Sequence, residues 1–308
     1  MQNADERQKM IAAWRRQEDY GSLLSVLQRK EPALYAGLPL LPAAMLAAAL
    51  YGDLPQQMLV LCANEEEAVA LADNLRPLLG EQVQLFPVLE LMPFEVYAHN
   101  IELVAARMRV LSGLVRGERM LVVSCVNALS RRLPPPAVLR AHHLLLRAGD
   151  VVEPAQLARQ LADMGYERVT LTEIPGTFSQ RGSIVDVFPI TAQQPCRLEF
   201  FDDEIDSLRY FDAAEQRSGA AAEQLLLTPA RELPVDDAAR MRARQALQEE
   251  YRQTYDALRG TAKKELEKSY APLLEYLETG VWDSGMEALM RCFYPDAGSL
   301  FDYLGDGT

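Results

Sequence analysis

Hydrophobic and polar positions repeat with two periods along this chain, and the points where one gives way to the other mark its organisation. Met10, Ile11 and Trp14 recur at helical spacing in a polar lead-in from Asp5 to Arg29. Gly21 is expected to interrupt it, with Ser22 capping a second short helix that carries Leu23, Leu24 and Leu27. Trp14 then belongs to a core-facing stripe. Ala33–Ala36 reads as a strand and Ala43–Leu50, rich in Ala and Leu, as a helix. Met58–Cys62 is a continuous apolar run, as expected of a parallel strand covered on both faces. Asn64 is placed to cap a helix that opens with Glu65, Glu66 and Glu67 and turns Leu71, Leu75 and Leu78 to one side. Val83–Phe86 and Met120–Ser124 are further strands, and Pro87 and Pro93 fix a bent loop after the first of them. Between the strands, Ile101–Leu114 is amphipathic through Ile101, Val104, Met108 and Leu111, and Asn127–Leu133 is a short helix. Strands alternating with helices predict an α/β layer with a largely parallel sheet over residues 1–141.

Pro134-Pro135-Pro136 predicts a stiff extended connection, after which the pattern changes. Leu144–Leu146 starts a strand, Gly149-Asp150 a turn, and Pro154–Met164 a helix with Leu157 and Leu161 inward, closed by Gly165. Val169–Ile174 leads into Pro175-Gly176. Three short strands follow: Ser183–Phe188, Arg197–Phe201 after a Gln-Gln-Pro turn, and Ile205–Phe211 after the acidic turn Asp202-Asp203. Residues 142–230 therefore predict a smaller α+β domain with an antiparallel sheet. From 231 to 308 the chain turns helical, with long charged segments Asp236–Arg259 and Thr261–Glu278 separated by Gly260. Mixed charges such as Lys263, Lys264, Glu265, Glu267 and Lys268 mark a solvated helix with local ion pairs.

The formal net charge is −13, and from His143 to Ala230 there are seven Arg, no Lys and fourteen Asp or Glu. That balance argues against strong nucleic-acid binding by the smaller domain, which would call for a basic face. The four cysteines are widely spaced and form no metal-ligand pair; Cys62 and Cys125, in apolar runs, read as buried thiols. Neither the three histidines nor any Ser, Cys or carboxylate spacing suggests a catalytic set, a metal site or a resident cofactor. No apolar run is long enough for a membrane span and the first residues lack a signal peptide's apolar segment, so a cytoplasmic protein is expected.

One stretch invites comparison with a phosphate cradle, GxxxxGK[ST] between a strand and a helix. Laid on Gly37, the template puts Pro42 at the second glycine, Ala43 at the lysine and Ala44 at the hydroxyl residue. Pro42 offers no amide hydrogen, Ala43 no charge and Ala44 no oxygen for magnesium. Two origins fit, a cradle stripped of its chemistry or a chance match, and both predict no ATP site here.

The strand Arg197–Phe201 is the most informative. Alternation puts Leu198 and Phe200 on one face and Arg197, Glu199 and Phe201 on the other. Either the second face is outward, with an arginine and an aromatic ring of the kind enriched in interface hot spots, or Phe201 is a second core layer and Arg197 pairs with Glu199. The runs RGSIVDVFP, RLEFFDDEIDSLRYFD, QRS and LTPARELP, in that order, resemble the second domain of the UvrB family and of the related transcription-repair coupling factors. The resemblance implies docking on UvrA, the damage-recognition ATPase of nucleotide excision repair, through Arg181, Arg197 and Phe201. It also implies a degenerate helicase-like first domain, since the coupling factors have lost the phosphate loop that UvrB keeps, and a helical C-terminal segment packing back on that domain. A truncated piece of a longer protein is expected, whose other domains, with ATP and magnesium, drive an ATP-dependent DNA translocase acting on stalled RNA polymerase. Two other readings are a UvrB-type ATPase subunit and an autoinhibitory domain that masks the UvrA-docking face.

Overall fold

A computed structural model of the chain describes residues 2–89, 101–279 and 284–305. Grouped by contacts, the chain forms two units: residues 1–88, 113–131 and 303–308, and residues 89–112 and 132–302.

The first unit opens with helices α1 (Gln2–Arg15), α2 (Glu18–Gln28) and α3 (Leu40–Asp53), then β1 (Met58–Cys62), α4 (Glu65–Leu79) and β2 (Val83–Phe86). Helix α5 (Ile101–Val115) crosses the boundary of the grouping, and β3 (Leu121–Cys125) and α6 (Val126–Leu129) complete the unit. The sheet is parallel in the order β1-β3-β2. Only the central strand β3 is buried throughout; β1, expected to be covered on both faces, is half-buried because it lies at the sheet edge. Asn64 caps α4 as expected, its side-chain oxygen accepting from the Glu67 amide at 2.9 Å. Trp14 packs with Tyr20, Leu46 and Ala49. The break between the first two helices falls at Arg16-Gln17, and Gly21 lies inside α2, where the packing of Tyr20, Leu23 and Leu24 outweighs one glycine.

Two features of the Gly37 region differ from expectation. Ala33–Ala36 forms no strand, and Leu34 is 93% exposed, so nothing covers the side chain that a strand would have buried. Helix α3 begins at Leu40, three residues early, with Pro42 in its first turn. The first helical amides have no intrahelical partner, so proline costs little there, and the first ladder bond runs from the Ala43 amide to the Pro39 carbonyl at 3.0 Å. Pro93 and the loop expected around it lie outside the described residues.

In the second unit, Pro136 opens a short helix α7 (Pro136–Ala141) where the proline run suggested an extended link; proline suits the first position of a helix. Next come β4 (Leu144–Leu146), α8 (Pro154–Asp163), β5 (Glu167–Arg168), β6 (Thr177–Arg181), β7 (Ile184–Phe188), β8 (Cys196–Phe201), β9 (Glu204–Phe211), β10 (Ser218–Ala221) and β11 (Leu225–Leu227). Strands β5 to β10 form a six-stranded sheet in reverse chain order, antiparallel except for the β5–β6 pair; β4 and β11 pair separately. Helix α8 lies against β6 and β7 with Leu157 and Leu161 buried. The unit ends with α9 (Asp237–Ala257), capped by Asp236, α10 (Thr261–Thr279) and α11 (Met290–Phe293). Leu233, Ala243, Leu247, Leu273, Leu277, Met290 and Phe293 share a core, and the contact grouping counts residues 231–302 in the second unit.

Candidate partner-docking face

Strand β8 alternates as its sequence predicts: Cys196, Leu198 and Phe200 are buried, while Arg197 and Glu199 are half-buried and Phe201 is 74% exposed. Strand register extends this face across the sheet, because paired residues point the same way. One row joins Ser179, Asp186, Arg197 and Arg209; the next joins Arg181, Ile184, Glu199 and Ser207. Phe201 pairs with Glu204 at the tip of the β8–β9 hairpin, whose turn residue Asp202 has φ +52°. All three residues expected at a docking site therefore lie on one face.

They do not form one cluster. Arg181 and Arg197 converge on Asp186, which is fully buried. Its Oδ1 accepts from Arg197 Nε at 2.7 Å, and its Oδ2 accepts from Arg197 Nη2 at 2.8 Å and Arg181 Nη2 at 3.0 Å. These bonds hold the Arg197 guanidinium above its ordinary pKa, against the opposing effect of burial. Arg197 does not pair with Glu199, which instead accepts from Ser207 Oγ at 2.8 Å. Nor does Arg197 sit beside Phe201: four residues of strand separate them by roughly 13 Å, and the ring under its guanidinium is that of buried Phe211, 4.8 Å away.

The face is thus closed at one end and open at the other. Near Asp186, buried Thr172 donates to Ser179 Oγ at 3.2 Å, and Gln216 Nε2 donates to the Thr172 carbonyl at 3.3 Å. These contacts lay the segments before β6 and after β9 over Asp186. At the open end, the Arg181 side chain is 53% exposed against 14% for Arg197. Arg181 stands where β6 ends, before Gly182 at φ +59°.

A family profile described as the UvrB interaction domain matches residues 144–233, the span that contains this face. Residues 144–233 thus resemble a UvrB interaction domain. The chain around it is similar to transcription-repair-coupling factors: 33% identical to that of Bacillus subtilis over 94% of this chain and 25% of the relative. It is 35% identical to that of Myxococcus xanthus, over 84% of this chain and 22% of the relative, and 30% to that of Haemophilus influenzae, over 81% and 21%. The chain thus spans about a quarter or less of these relatives.

Sequence reasoning missed Asp186 and Phe211 in this interaction domain. A lone acid among β-branched residues in Ile184-Val185-Asp186-Val187 was the available signal, because such a carboxylate needs a cation if its face is covered. The four cysteines carry no disulfide; Cys125 is buried as expected and Cys62 half-buried. Among the described residues no cluster of acids, histidines and cysteines could hold a metal ion, and no helix is long and apolar enough to cross a membrane.

Proposed function

We propose that this chain is a protein-interaction module that docks on UvrA through the open end of the interaction domain's face. Phe201 carries the reading: a phenyl ring 74% exposed, on the same face as the half-exposed Arg181, offers the kind of aromatic anchor area that carries interface energy. Arg181 supplies a guanidinium for a partner carboxylate, and Arg197 serves mainly to hold the face through Asp186. The longer protein then recruits UvrA to RNA polymerase stalled at lesions in nucleotide excision repair. It acts in the cytoplasm as an ATP-dependent DNA translocase, with its motor, ATP and magnesium in domains outside these residues.

The domain division read from the sequence, 1–141, 142–230 and 231–308, belongs to the same proposal. Residues 1–141 are a helicase-like domain without an ATP site: Pro42, Ala43 and Ala44 all fall within α3, and Ala44 is buried. Calorimetry with ATP and magnesium should register no saturable heat; micromolar binding would favour a UvrB-type ATPase subunit.

The direct test is UvrA pull-down with Arg181→Glu. Arg181 gives Asp186 one hydrogen bond, and the two from Arg197 remain, so the chain is expected to stay folded, checked by circular dichroism, while capture falls; undiminished capture would refute the docking reading. Arg197→Glu is a poorer test, since its side chain is only 14% exposed and supplies two of the three arginine hydrogen bonds to buried Asp186. The exposed ring also suits an autoinhibitory cover from another part of the longer chain. In that case the 308-residue chain binds UvrA more tightly than the full-length protein does.

A further inference from the structure

The open end of the face continues beyond Phe201. Across β9, Glu204 forms an antiparallel bridge with Val151, on the connection between β4 and α8. Glu204 pairs on its other side with Phe201. Backbone bonds fix this third strip: the Val152 amide donates to the Asp203 carbonyl at 2.7 Å, and the Ile205 amide to the Asp150 carbonyl at 2.9 Å. Val151, Glu204 and Phe201 therefore form one row of side chains on one face, its ends roughly 10 Å apart. Val151 is 76% exposed, nearly the same as Phe201. Glu204 is exposed between them, and among the described residues no side-chain hydrogen bond or ion pair holds its carboxylate.

We infer that the partner surface that covers Phe201 also covers Val151 and brings a lysine or arginine to Glu204. This rests on the docking reading above and adds the chemistry of the partner. Two apolar side chains on either side of a carboxylate cannot both be sealed without stripping water from that carboxylate. An ionised carboxylate buried without a partner is strongly unfavourable, so the covering surface must supply a cation there. Arg181, one row away on the same face, asks for the opposite charge. The face is therefore bipolar, and a UvrA patch complementary to it carries an acid facing Arg181 and a base facing Glu204, with apolar contact around the base. Such an arrangement fixes the orientation of docking as well as its strength.

The test is a UvrA binding titration with the 308-residue chain and the variants Val151→Asp, Glu204→Lys, Glu204→Gln and Phe201→Ala, with circular dichroism melts of each. Val151→Asp and Glu204→Lys are each expected to weaken binding about tenfold or more. Glu204→Gln is expected to weaken it less and to flatten its salt dependence. If Val151→Asp proves unstable, the isosteric Val151→Thr is expected to weaken binding about threefold. Wild-type affinity for the Val151 and Glu204 variants, with Phe201→Ala impaired, would overturn the inference and leave the docking reading standing. No binding by the wild type, or full binding by Phe201→Ala, would remove the docking reading and this inference with it.

Discussion

Asp186 accepts both parallel hydrogen bonds of the Arg197 guanidinium, at 2.7 and 2.8 Å, while having no solvent exposure of its own. The pair joins β7 to β8 on a face whose far end is open, so it fixes the sheet beneath the proposed docking residues. Removing the carboxylate leaves Arg197, itself 14% exposed, without its partner. Asp186→Ala is expected to cost about 3 kcal/mol. Native-state hydrogen exchange at the β7 and β8 amides reads this within one unit of a chain that has two; a loss under about 0.5 kcal/mol, the range of ordinary surface changes, would contradict it.

Burial pushes the Cys196 thiol from its ordinary 9.0 up to about 12. Because the folded value is raised, the stabilisation is complete below pH 9 and is lost as pH rises toward the folded value. Over that window the unfolded chain has released a proton that the folded chain still holds, so stability falls by about 1.4 kcal/mol per pH unit. Urea unfolding between pH 9 and 10.5 should show a shallower decline for Cys196→Ala than for wild type. Parallel declines would rule the thiol out.

Gly165, at φ +93°, ends the turn after α8, and a Cβ there would run into the Arg231 side chain. Burial lowers the Arg231 guanidinium to about 10, with Glu287 and Glu167 opposing that shift. The Arg231 Nε and Nη1 atoms are buried, so the half-buried side chain has little room to give way. Gly165→Ala combines backbone strain with displacement of the Arg231 side chain and is expected to destabilise the unit by more than about 1 kcal/mol. A melting temperature equal to wild type would count against this packing.

Much of this was legible in the sequence because the signals were local. The Asn64 cap, the α8 stripe and the inside-outside alternation of β8 each rest on residues within one turn or one strand. The missed features depend on pairing between distant segments. Strand β6 was not foreseen, since Thr177-Phe178-Ser179-Gln180-Arg181 has only one large apolar residue and acquires its role by pairing with β7. The Asp186–Arg197 pair spans two strands and a turn, and the ring against Arg197 is that of Phe211, on a further strand. Local apolarity misled at Ala33–Ala36, which pairs with none of the described strands.

If UvrA covers the exposed Phe201 ring, as proposed, the Kd of UvrA for wild type and Phe201→Ala at matched salt reports it. Because Phe201 is 74% exposed, its truncation should change stability by less than about 0.5 kcal/mol. Binding should weaken by at least about tenfold, the signature of an interface anchor. Equal affinities for the two proteins, with both folded, would mean that UvrA does not dock on this ring.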